Sequence, residues 1–291
     1  MTQLSMDLSA LTCAIASAIR MRPKRNAMMC KHAFGALLLG VGAWLSGAAH
    51  ASEQYVAYFG VAASQRSGQL LYGESHVVRY QNGRIAERVV LYTCPDGTPF
   101  ARKHSTYEDP LAPNFVFEEV SNGMREGVRL GERAGASRQV FFRGVDGKPE
   151  KTAPVPQVSG LVVDSGFDEF IRSNWQALMT QGSLSLQFLV PSRLETLSFQ
   201  LQHLRSGSQD GTPTEVFRLK LQGILGWIAP NIDVTYSERD HVLMRYEGLS
   251  DLRDKSGDNL RVDITFRLSD RKTSDAAAVA AAMSAPLLVC R

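Results

Sequence analysis

Asp164–Gln181 reads DSGFDEFIRSNWQALMTQ, and beyond the N-terminal segment it is the one clear helical pattern in the chain. Phe167, Phe170, Ile171, Trp175, Leu178 and Met179 recur at helical spacing on one face, with Asp168, Glu169 and Arg172 off it. Asp164 or Ser165 is placed to cap the first turn, and Asp168 and Glu169 suit the positive end of the helix dipole. Strand-like segments lie on both sides of this helix. The pattern predicts a sheet wrapped around it.

Working back from the helix, residues 148–157 hold three prolines and read as an extended connection. Before that, period-two segments are punctuated by turn signals at Ser67-Gly68, Asn82-Gly83, Asp96-Gly97, Asn122-Gly123 and Asp146-Gly147. Asn-Gly is the strongest of these, because both residues tolerate the positive φ of a type I′ turn. Beyond the helix, Gly182 marks its end. Strands follow over Leu184–Val190, around Leu197–Leu201 and over Val216–Gln222, with residues 206–213 read as a flexible polar turn. Further on, Ile232–Tyr236 pairs with His241–Gly248, and the apolar residues of Leu260–Leu268 alternate strictly with Arg261, Asp263, Thr265 and Arg267. The stretch Gly223–Pro230 (GILGWIAP) reads as a helical turn or a loop.

Short connections imply a meandering antiparallel sheet, and alternating polarity implies one wet face and one core face. A twisted sheet of about ten strands tends to curl. The expected fold is therefore mainly β (α+β), a curved antiparallel meander sheet or half-barrel around one amphipathic helix. A β-sandwich with an inserted helix is the alternative.

At the N-terminus the expectation is a signal peptide over residues 1–51. Arg22, Lys24, Arg25 and Lys31 form a basic region, Ala33–Leu45 an apolar core, and Ala49-His50-Ala51 a cleavage pattern. The apolar run falls short of the ~20 residues of a membrane span, and Met21 is the more natural start. This predicts a periplasmic protein with no transmembrane segment in the mature chain. A single β-rich domain over residues 52–271 then precedes an Ala-rich tail over residues 272–291.

The segment also explains the charge. It carries five basic side chains against Asp7, so 27 basic and 28 acidic side chains remain of the 32 and 29 in the whole chain. Without a cationic surface, no nucleic-acid partner is expected. Cys94 and Cys290 remain beyond the segment, and in an oxidising compartment they either pair or stand as two free thiols.

Motifs for chemistry are largely missing. His76, His104, His203 and His241 show no metal-ligand spacing, and neither a nucleophile elbow nor a phosphate loop occurs. Asp251, Asp254 and Asp258 depart from a calcium loop and read as a charged hairpin connection. No catalytic residue, metal or cofactor is expected. Arg245 and Glu247 share one face of their strand and Tyr246 takes the other. Arg245 is either an ion-paired surface residue or a polar anchor at a cavity mouth. Trp175 and Trp227 are either cavity walls or plain core.

Val163–Leu178 (VDSGFDEFIRSNWQAL) and Arg245–Asp254 (RYEGLSDLRD) resemble a group of uncharacterised exported proteobacterial proteins, across most of residues 54–268. That likeness implies no activity. The strands around a helix also resemble the periplasmic lipoprotein carriers LolA and LolB, where a curved open sheet with a helical lid holds acyl chains. Unlike LolB, this chain has no lipid-attachment cysteine after the apolar core. The leading expectation is a non-enzymatic binding protein for a lipid or other hydrophobic ligand, with Phe170, Trp175 and Trp227 lining a cavity and Arg245 anchoring an acidic head group. The alternative is a cell-envelope assembly factor with a protein partner. A solvent-lined cavity would favour the first, a filled one the second, and a cleft with converging ionisable groups an enzyme.

Overall fold

The computed structural model describes residues 52–131, 137–223 and 230–290. The expected signal segment and Trp227 both lie outside the described residues. The chain enters its sheet in the middle. β1 (Glu53–Ser64) is flanked by β2 (Leu70–Gln81) on one side and β15 (Asn259–Phe266) on the other. From β1 the chain steps outward through β2, β3 (Arg84–Thr93), β4 (Pro99–Thr106), β5 (Asn114–Glu119), β6 (Arg125–Leu130) and β7 (Arg138–Arg143) to an edge at β8 (Lys151–Pro154). It then crosses to the opposite edge, β9 (Leu161–Val162), and makes α1 (Gly166–Ser173) and α2 (Trp175–Gln181). Strands β10 (Ser183–Val190), β11 (Glu195–Gln209), β12 (Thr212–Leu221), β13 (Ile232–Ser237) and β14 (Leu243–Arg253) then step back to β15.

The result is a curved, mainly β fold. Among the described residues one sheet takes in sixteen strands, the last being β16 (Lys272–Ser274) beside β1. The sheet exceeds the expected ten, and the short segments β8, β9 and β16 account for three of the additional strands. Neighbours are antiparallel except β9 and β10, which run parallel. Asn82 and Gly83 both take positive φ at the β2–β3 turn, as a type I′ hairpin requires.

Three local expectations change. Residues 206–209 and 212–213 extend β11 and β12, and Asp210-Gly211 alone makes the turn. Part of the proline-rich connection becomes β8, where an edge position spares Pro154 the donor it lacks. The helix is broken at Asn174, which leaves helical geometry at φ −109° and donates from its side chain to the Phe170 carbonyl 2.8 Å away.

The helix pair is packed into the sheet. Ile171 and Leu178 are wholly buried with Leu201, Phe217 and Tyr236 of β11–β13. A second core, with Tyr72, Phe117, Val128, Val140 and Leu252, fills the space between β2–β7 and β14–β15. The tail is fastened to the outside of the sheet. α3 (Ala276–Ser284) lies against β2 and β3, capped at its start by Asp275, whose carboxylate accepts from the Ala278 amide. Arg102 donates to the Met283 carbonyl at 2.6 Å, and Cys94 and Cys290 form a disulfide.

Candidate functional site

Strand register sets out a row of side chains on the inner face. His76 of β2 lies opposite Val90, Val90 opposite Lys103, Lys103 opposite Phe117, and Phe117 opposite Glu126 of β6. The next inner row runs Val78, Arg88, Ser105, Phe115 and Val128. Ionisable side chains are thus threaded among apolar ones on the face that should have been pure core. Glu74, His76, Arg88, Lys103 and Glu126 are all buried. The expectation that polar alternation marks the solvated face fails here.

Above these rows is a cavity of about 230 Å³, partly open to solvent. Its apolar wall includes Val90, Phe115, Phe188, Leu219, Val234 and Phe266; its polar lining includes Glu74, His76, Arg88, Lys103, Glu126, Asp164, Asp168 and Asp251. The start of α1 supplies two of these acids. Asp164 does not cap the helix but turns to Lys103 at 2.5 Å, and its φ of +45° re-aims the chain. Ser165 is likewise diverted, bonding the Tyr107 hydroxyl at 2.6 Å. Asp168, read as lying off the buried face, is buried in the site.

Charges here are held in groups. The Arg88 guanidinium donates to Asp168 at 3.0 Å, and the Tyr236 hydroxyl donates to its other oxygen at 2.5 Å. Burial alone would favour the neutral acid. Arg88, Arg172 and the Tyr236 hydrogen bond outweigh it and hold Asp168 down at about 2. Lys103 pairs with both Asp164 and Asp251. Burial opposes its charge too, but these carboxylates keep the ammonium well above its ordinary range. The Asp251 side chain is 38 % accessible yet sits deep in the protein, because what it faces is the cavity. Burial, reinforced by Asp164, raises its pKa against the pull of Lys103.

Glu126 differs from the rest. It is 7 % exposed, and among the described residues no group donates a hydrogen bond to its carboxyl. Burial, with Asp251 adding to it, pushes it up to about 8. His76 is held neutral by burial and bonds Glu74 through Nε2 at 2.9 Å, its ring stacked on Tyr58. With Nε2 as the donor, its Nδ1 is an acceptor with no partner, and neither Arg88 Nε nor Asp164 Oδ2 has one.

Of the residues expected at a cavity, Phe170, Trp175 and Arg245 are not among those lining this one. Phe170 and Trp175 pack in the helix core, with Trp175 stacked on His241 at 3.8 Å between ring centroids. Arg245 is on the outer face, gripping Asp263 at 2.8 and 2.6 Å and Glu247 at 3.1 Å. Its neighbour Tyr246 is the one that lines the cavity. Asp254 organises the β14–β15 turn by accepting from the Ser256 and Asp258 amides.

Among the described residues no three His, Cys, Asp or Glu side chains converge as a metal-ligand set, and no helix is long and apolar enough to cross a membrane. No family model and no curated protein matches the chain. It is similar to a crystal structure of a β-barrel-like protein of a domain of unknown function (DUF1849) from Brucella abortus. The two are 10 % identical with a TM-score of 0.42, over 77 % of this chain and 98 % of that one.

Proposed function

We propose that the protein is an exported, periplasmic binding protein that holds a small, largely hydrophobic molecule inside its curved sheet. The observation that carries this reading is the cavity: an apolar wall with polar groups converging on the same space is the usual form of a small-molecule site. Its volume narrows the ligand. Set beside a cavity of roughly 150 Å³ that takes a benzene, the space suits a compound of roughly ten non-hydrogen atoms, well short of a diacyl lipid or a lipoprotein's acyl chains. Export is supported by the Cys94–Cys290 disulfide, since such bonds persist in oxidising compartments.

The test is native mass spectrometry of protein purified from a bacterial periplasm, beside a Leu243→Trp variant that fills the cavity from a half-buried wall position. A small molecule of defined mass that leaves with the variant supports the reading. Protein that emerges empty and binds no hydrophobic fluorescent probe sinks it, and an envelope protein partner becomes the reading to pursue.

An acid–base enzyme is the second reading, favoured by the ionisable groups that converge on the cavity and by Glu126 above all. A buried carboxyl that titrates near neutrality is what proton abstraction uses. That reading requires a bound carbonyl compound to take up deuterium from heavy water. Recovery of the compound unlabelled ends it.

A further inference from the structure

The cavity lining is out of charge balance. It carries five acids, Glu74, Glu126, Asp164, Asp168 and Asp251, against two cations, Arg88 and Lys103. Arg172 reaches Asp168 but brings its own partner Glu169, so that pair adds nothing. Arg253, the other cation acting on Glu126, also acts on Glu119 outside the lining. His76 contributes no positive charge. Even with Glu126 protonated, the lining is left two negative charges in excess. Uncompensated charge in an enclosed space is costly, and an arriving cation relieves it.

The atoms without partners point the same way. Glu126 is nine-tenths buried, lines the cavity and is without a hydrogen bond among the described residues. Asp164 Oδ2 and His76 Nδ1 are bare acceptors, against one bare donor, Arg88 Nε. The site wants a ligand that donates. An inner-shell metal would need oxygens at about 2.0–2.6 Å, and no such set converges among the described residues. A compact ammonium with three donors does not demand that geometry.

We propose that the ligand is a small protonated amine, its ammonium lodged among Glu126, Asp164 and Asp251 and its apolar body along Phe188, Leu219 and Val234. This rests on the reading of the cavity as a hydrophobic-ligand site and names the class of its occupant. One consequence is specific. The ammonium requires Glu126 ionised, whereas in the empty cavity it keeps its proton up to about 8. Asp251 and Asp164 face it and raise its affinity for the proton, while Lys103 and Arg253 lower it. Lys103 stays charged throughout this range, as does an alkylamine of pKa about 10. Binding therefore expels about one proton, and affinity climbs with pH.

Calorimetry of the purified protein with phenylbutylamine, phenylbutanol and phenylbutyrate, from about pH 6 to about pH 8 and in buffers of different ionisation enthalpy, tests this. Expected is a roughly tenfold or greater preference for the amine over the alcohol near pH 8. Its affinity should rise by up to about tenfold per pH unit below that, with about one proton released. Glu126→Gln should abolish the pH slope and the proton release and weaken the preference for the amine, leaving only the part that Asp164 and Asp251 supply. Should that variant fail to fold, the buffer-dependent proton release of the wild type decides alone. Phenylbutyrate binding tightest, or amine and alcohol binding equally with no pH slope, overturns the amine and leaves the cavity reading standing. Binding of none of the three overturns both.

Discussion

Glu126 is where the interior is most exposed to pH. In the unfolded chain its carboxyl titrates near 4.5, and in the folded one near 8, because burial and Asp251 disfavour the charge. The folded state thus holds a proton that the unfolded state releases. Stability falls as pH rises from about 4.5 and levels off near 8. Glu126→Gln is neutral throughout and should remove the decline, exceeding wild type by about 2–4 kcal/mol near pH 8 and matching it near pH 5 in urea titrations. Parallel declines in both proteins would contradict this. Asp168 has the opposite sign, giving stability that is full above about pH 4 and lost as pH falls through about 2. These residues were visible in the sequence but their facing was not. In β2 both faces are buried, Val77 on one and Val78 on the other, because α3 covers the outside. With apolar residues at both parities, nothing in the pattern said that Glu74 and His76 point inward. Arg245 could be read more easily: its strand alternates cleanly, and a surface ion pair is what it makes.

The helix was legible as an element, since its apolar spacing is that of a buried stripe. Its break was not. Asn174 lies within the stripe, and what it accommodates is tertiary: Trp175 turning to stack on His241 and meet Phe217 edge-on. The start of α1 is set by a close approach. A Cβ at Gly166 would lie 2.0 Å from the Leu111 carbonyl oxygen, a backbone atom that cannot step aside. Gly166→Ala should therefore push α1 off the β4–β5 connection and cost about 1–3 kcal/mol, whatever alanine adds in helix propensity. The same shift displaces Asp164 and Asp168 from Lys103 and Arg88. Thermal unfolding reads the first effect. A midpoint equal to wild type would show that the approach is looser than the backbone implies.

Across the whole molecule, the disulfide closes a sequence separation of 196 residues. In the chain-entropy account a loop of that length restrains the unfolded state by about 5 kcal/mol. Replacing both cysteines, Cys94→Ala with Cys290→Ala, should lower stability toward that amount in denaturant titrations. It should also let proteases trim the chain beyond Ser274, where Arg102 and the Leu288–Pro99 backbone bond are left to support the packing of α3 on β2 and β3. Resistance to trimming would mean the helix docks by packing alone. Sequence separation could not have announced this bond, because it says nothing of distance between a hairpin turn and a chain end. The curved meander was legible from its turns, whereas the pairing of β1 with β15 depends on residues some two hundred positions apart.

That pairing means the order of the strands is a circle cut at an inconvenient place. Ser274 stands directly opposite Tyr55. A tight turn from the end of β16 into β1, with new ends opened in the exposed stretch 157–160, would yield a chain running β9 to β16 and then β1 to β8. In such a permuted protein every strand after β9 except β16 would pair with the one just made, and β1 would pair with both β16 and β15. Its most distant closure would become a local hairpin, and it should fold faster than a natural-order chain ended at Ser274. Stopped-flow refolding of the two would tell whether evolution left this sheet a slow last stitch.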